Sequence, residues 1–107
     1  MSTPLNLDTT RDGDGRVVLT AAGEIDLSNV GAFSDALAEA TTEADFSGGR
    51  LTVDFTAVEY LDSSAINVLY KLAERIHLIA NPLLIRSLTV SGLAELVTIE
   101  PAPTGAQ

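Results

Sequence analysis

Between Leu51 and Leu72 the hydrophobic period of the chain changes in mid-run, and that change dictates a strand delivered directly into a helix. Leu51, Val53 and Phe55 alternate with Thr52, Asp54 and Thr56, the two-residue period of a strand that buries one face. From Ala65 onward the apolar residues fall at Ala65, Ile66, Val68, Leu69, Leu72 and Ala73, the three-and-four spacing of a helix laid on a core. Asp62 and Ser63 stand where that helix must begin. A short side-chain oxygen at such a place accepts a hydrogen bond from an unpaired N–H of the first turn. Asp62, Ser63 and Ser64 therefore put a carboxylate and two hydroxyls at the positive end of a helix, on the rim of a sheet.

The chain before this stretch reads as a hairpin and a helix. Leu5 and Leu7 alternate with polar neighbours in a first strand, and Asp12-Gly13-Asp14-Gly15 marks a turn. Alternating Asp also invites a calcium-loop reading, but the twelfth position from Asp12 is Gly23 and the fifth is Arg16, where ligands are needed. Arg16 to Ala22 has strand character. In Gly23-Glu24-Ile25-Asp26, Ile25 is a core anchor, and Asp26 or Ser28 can cap the next helix. That helix carries Val30, Phe33 and Leu37 on one side and is expected to run to about Glu43, with residues 44–50 looping back to the sheet.

After Lys71 the reading divides. Alternation in 75–79 puts Ile76 and Leu78 on one face and Arg75 and His77 on the other, which predicts a strand. The competing parse places the strand at 83–85. Asn81-Pro82 is a helix start, with Leu84, Ile85 and Leu88 inward and Gly92 as a left-handed stop. Leu96 to Ile99 forms a short final segment. The expected core spans about residues 5–99, with flexible tails at 1–4 and 101–107.

At 107 residues, with 46% hydrophobic and 20% charged, the chain is expected to form one domain. Six Lys and Arg against fifteen Asp and Glu give a formal charge of −9, which repels phosphate backbones and favours a protein partner with a basic patch. No direct nucleic-acid partner and no cofactor is expected. The absence of cysteine removes disulfides, thiolate chemistry and Cys-ligated zinc. The apolar region from Ile76 to Ile99 is interrupted by His77, Asn81, Pro82, Arg86 and Glu95, short of the roughly 20 apolar residues a membrane span needs. With no secretory signal in MSTPLNLDTT, a cytoplasmic location is expected. Catalysis finds little support: no Gly-x-Ser-x-Gly elbow is present, and the sole histidine, His77, lies on another element from Ser63 and reads as structural, not as a metal ligand.

Asp54, the connection after it and Asp62-Ser63-Ser64-Ala65-Ile66, together with Gly23-Glu24-Ile25-Asp26 upstream, resemble the signature of the STAS domain of bacterial anti-sigma factor antagonists. The resemblance runs from about Val17 to Ile99. It implies an α/β fold, a STAS-type single domain with a mixed four- to five-stranded sheet and helices packed against it. It also implies a function. The unphosphorylated antagonist would bind an anti-sigma factor with serine kinase activity and so release a sigma factor; phosphorylation would end binding, and a serine phosphatase would be a further partner. By position the phosphoacceptor is Ser63, with Ser64 as the alternative, whose hydroxyl is expected to turn toward the backbone four residues back. The implied partner-binding face comprises Asp26, Asp62, Ser63, Ser64, Ile66 and Asn67. A phosphate there is expected to find free N–H groups of the helix end. Ala65 stands where the family often has glycine, and the second helix is shorter than usual. The alternative implied by the same fold is a non-cycling STAS subunit of a stress-signalling assembly or of a membrane transporter complex.

Overall fold

A hairpin opens the chain: β1 (Asn6–Arg11) pairs antiparallel with β2 (Val17–Ile25). Asp12 holds its turn, the carboxylate accepting the N–H of Asp14 at 2.9 Å and of Arg16 at 3.0 Å, while Gly15 takes a φ of 82°. The computed structural model describes residues 4–102, so of the tails expected at 1–4 and 101–107, residues 1–3 and 103–107 lie outside the described residues. Leu5, expected in the first strand, precedes it.

The strands alternate as their sequences require. In β2, Val17, Leu19, Ala21 and Ile25 are buried, and in β3 (Leu51–Leu61) Leu51, Val53, Phe55, Val58 and Leu61 are. The two-residue period fails after Phe55, because the β2–β3 register shifts between Thr20 and Ala22 and again between Gly23 and Glu24. β4 (Ile76–Ala80) pairs parallel to β3, and β5 (Thr98–Pro101) parallel to β4. The fourth strand is thus at 76–80. Residues 83–85 belong to a helix, and Arg75 lies in a 3-10 turn, Ala73–Arg75, bound to Asp45.

Three helices connect the parallel strands. α1 is Val30–Phe46, one turn longer than expected, and its N-cap is Asn29, not Asp26 or Ser28. Those two residues hydrogen-bond each other in the preceding turn, so neither is free to cap. α2 is Ser63–Lys71 with Asp62 as N-cap. α3 is Pro82–Val90, with the Asn81 side chain accepting from Leu83 and Gly92 following at φ 87° as the left-handed stop. Pro101, expected in a tail, ends β5, and Ala102 is buried with its N–H on the Ala80 carbonyl.

Sheet order is β1-β2-β3-β4-β5. Each parallel crossover steps to the next strand in the same direction, and right-handed crossovers of that kind put all their helices on one face. The core lies between that face and the helices, with Phe33 of α1 against Phe55 of β3 at a ring-centroid distance of 5.7 Å. The opposite face stays partly open, its residues Val18, Thr20, Thr52, Asp54, His77 and Ile79 being only half-buried.

Candidate functional site

β2 and β3 end side by side, with Ile25 opposite Leu61, so the segments leaving them start from neighbouring points. The Asp62 N–H extends the ladder by one bond, donating to the Ile25 carbonyl at 3.2 Å. Its carboxylate then serves both exits. Oδ2 accepts the Leu27 N–H at 2.9 Å, and Oδ1 accepts the N–H groups of Ser64 and Ala65 at 2.9 and 3.1 Å. The Ser64 hydroxyl donates to the same Oδ1 at 2.5 Å. This carboxylate therefore caps α2 and clips the β2–α1 turn to it.

So many donors favour the charged form. The Asp62 carboxyl is held below the ordinary aspartate range, first by the Ser64 hydroxyl; partial burial opposes this, and the N–H groups of Ala65, Leu27 and Ser64 add to it.

The two serines part company here. Ser64 is half-buried and tied to Asp62, not turned to the backbone four residues back as expected, because the cap carboxylate is a stronger acceptor within reach. Ser63 is exposed and takes no part in the network. Four residues on, Asn67 is also exposed, so the two share one outward stripe of α2, with Ile66 half-buried beside it. The expectation of free N–H groups at this helix end is corrected for Ser64 and Ala65, whose N–H groups Asp62 already occupies.

Asp26 reaches the same edge by a different route. Its carboxylate accepts the Ser28 N–H at 2.9 Å and the Ser28 hydroxyl at 2.5 Å, and its N–H donates to Asn29 Oδ1 at 2.9 Å. Asn29 Nδ2 in turn donates to the Glu24 carbonyl at 3.0 Å. Asp26 and Asp62 are thus joined through the loop backbone at Leu27, with no carboxylate pair between them. Three apolar residues escaped the sequence reading: Leu27 is 77% exposed, Tyr60 50% and Leu83 79%, all at the carboxyl ends of parallel strands. Their signal was positional. Leu27 sits between two turn-forming residues, and Leu83 is out of phase with the inward Leu84 and Leu88.

A mixed five-stranded sheet with helices on one face, and an Asp-capped Ser-Ser at the start of α2, is accompanied by a match over residues 9–98 to the family model described as Mlab, STAS domain. The chain belongs to the STAS domain family. Among solved structures this STAS domain resembles an anti-sigma factor antagonist from Mycobacterium paratuberculosis, with a TM-score of 0.79 at 24% identity over 98% of this chain and 92% of that one. It also resembles the anti-sigma factor antagonist SpoIIAA in its unphosphorylated form, with a TM-score of 0.62 at 21% identity over 94% and 90%. These are likenesses of fold. No curated protein matches the sequence of this STAS domain. Among the described residues, no helix is long and apolar enough to cross a membrane.

Proposed function

We propose that this STAS domain is an anti-sigma factor antagonist that works by partner switching. Unmodified, it binds an anti-sigma factor kinase over the start of α2 and releases a sigma factor. The observation that carries this reading is the division between the serines: Ser63 is exposed beside the cap, while Ser64 is held by Asp62. The kinase transfers the γ-phosphoryl group of ATP to the Ser63 oxygen, which loses its proton, and ADP leaves. The product carries about −1.5 to −2 extra charges beside Asp62. Asp62 already holds the Ser64 and Ala65 N–H groups. The new phosphate therefore faces outward into the partner surface, on the sheet edge that also exposes Leu27, Tyr60 and Leu83. A serine phosphatase resets the state.

The chain acts by binding, not catalysis: its one histidine, His77, sits on the open sheet face against Glu100 at 3.2 Å, away from Ser63. The test is affinity for each anti-sigma factor kinase of the same genome. Ser63→Glu should weaken binding at least tenfold, about 1.4 kcal/mol, by like charge in the interface. Wild-type affinity in Ser63→Glu would remove the basis for expulsion. Stable binding to a transporter subunit instead, with no phosphate uptake, would replace the switch by a non-cycling module.

A further inference from the structure

The sheet face that no helix covers carries a cavity of about 550 Å³ at the amino ends of the parallel strands, the length of β3 away from Ser63. Only six Lys and Arg stand against fifteen acids in this chain, yet two of them, Arg16 and Arg50, line that cavity. Register brings them together. Val18 pairs with Thr52, and the same offset carried two residues back, just before the two strands begin, brings Arg16 and Arg50 to the wall of one cavity. Two of the other three arginines are committed elsewhere, Arg11 to Glu43 and Arg75 to Asp45, and the third, Arg86, lies on α3. Arg16 and Arg50 have no ion pair among the described residues.

Like charges opposed on a sheet repel each other. The two carboxylates in the cavity wall do not relieve that repulsion by pairing with them: Asp12 accepts the N–H groups of Asp14 and Arg16, and Glu100 meets His77 Nε2. What remains is a pair of guanidinium groups facing a space, with the Thr52 hydroxyl and the half-buried side chain of Ile79 further along the wall.

We infer that this cavity binds a small phosphomonoester, its phosphate gripped by Arg16 and Arg50 and its organic part resting on Thr52, His77 and Ile79. Guanidinium forks match phosphate oxygens two at a time, and a charge-assisted bond of that kind is roughly twice as strong as a neutral one. The volume lies within the range of about 300–1,000 Å³ for small-molecule sites, more than phosphate alone fills. The ligand is a small solute and not a polyanion. The charge of −9 repels a nucleic-acid backbone or an anionic bilayer along its whole contact, whereas a small dianion meets only the local field of the cavity, where Arg16 and Arg50 offset Asp12 and Glu100 and Glu100 is turned to His77.

The test is a titration of the full chain, followed by backbone amide shifts, with inorganic phosphate and separately with adenosine 5′-monophosphate, glucose 6-phosphate and glycerol 3-phosphate. Saturable shifts at Arg16, Gly49 to Thr52 and His77 are expected, with at least one ester tighter than inorganic phosphate. Arg16→Ala and Arg50→Ala should each weaken that ester at least tenfold, and Arg50→Lys, which keeps the charge but loses the fork, should weaken it by less. Arg86→Ala, the same charge change on α3, should leave binding unaltered. Both cavity arginines are exposed, so a thermal melt should show these variants folded. The inference is overturned by any of four results: no saturable shift in the millimolar range, shifts mapping to Asp62 and Ser63, equal loss in Arg86→Ala, or capture by phosphatidic acid vesicles with no ester bound.

Discussion

Asp62 concentrates more of the local order than any neighbour, since one carboxylate holds the turn after β2 and the first turn of α2. Asp62→Ala should destabilise the fold by about 1–2 kcal/mol through loss of the cap, measured by urea unfolding at neutral pH. The pH dependence has a definite sign. The folded carboxyl lies below the ordinary value of 3.8, so its contribution is full above that value and is lost as pH falls through the folded one. Wild type and Asp62→Ala should therefore differ at pH 7 and converge in acid; a constant gap across that range would show that charge is not what Asp62 contributes. Ser64→Ala removes the largest lowering influence and should raise the Asp62 pKa, seen by carboxyl NMR titration, while leaving Ser63 open to modification. These roles were half legible. Asp62 as cap followed from residue type and position, but the reach of Oδ2 to Leu27 depends on β2 and β3 ending together, which local pattern cannot reveal.

At the scale of elements, α3 shows how a helix end is tied to its neighbour. Gly92 has φ 87°, and a Cβ there would lie 3.3 Å from the Tyr70 hydroxyl, which itself donates to the Ser91 carbonyl. Gly92→Ala should cost about 1–2 kcal/mol from the left-handed backbone alone. Tyr70→Phe loses the Ser91 bond at a smaller cost, near 1 kcal/mol; thermal melts of the two variants decide the order. The start of α3 was readable from Asn81-Pro82 because both signals are local. The start of α1 was not, because Asp26, Ser28 and Asn29 are all acceptable caps and none of them caps by its side chain: Asp26 and Ser28 bond each other, and Asn29 is turned to the Asp26 N–H and the Glu24 carbonyl. β3 was traced by alternation only to Phe55, since beyond it the register with β2 shifts and the period of two disappears.

For the whole molecule, one-sided helix packing divides the sheet into a core face and an open one, and the parallel strands divide it again into two ends. The core depends on Phe33 and Phe55, both fully buried and in contact. Phe33→Ala should cost about 3–5 kcal/mol, with the unfolding midpoint as the measurement. Sheet class and helix order followed from hydrophobic period and from the family resemblance. The bare face did not, because half-buried threonines and a histidine read the same whether or not a helix covers them. The carboxyl end holds Ser63, and the amino end holds the arginine cavity, so modification at one and ligand at the other need not compete. The switch itself is tested most directly by intact mass, and phosphate mapping, after incubation with Mg-ATP and each anti-sigma kinase of the same genome. One added phosphate, on Ser63 and absent in Ser63→Ala, is the predicted result. Phosphate on Ser64 alone, or none from a kinase that binds the chain tightly, would contradict it.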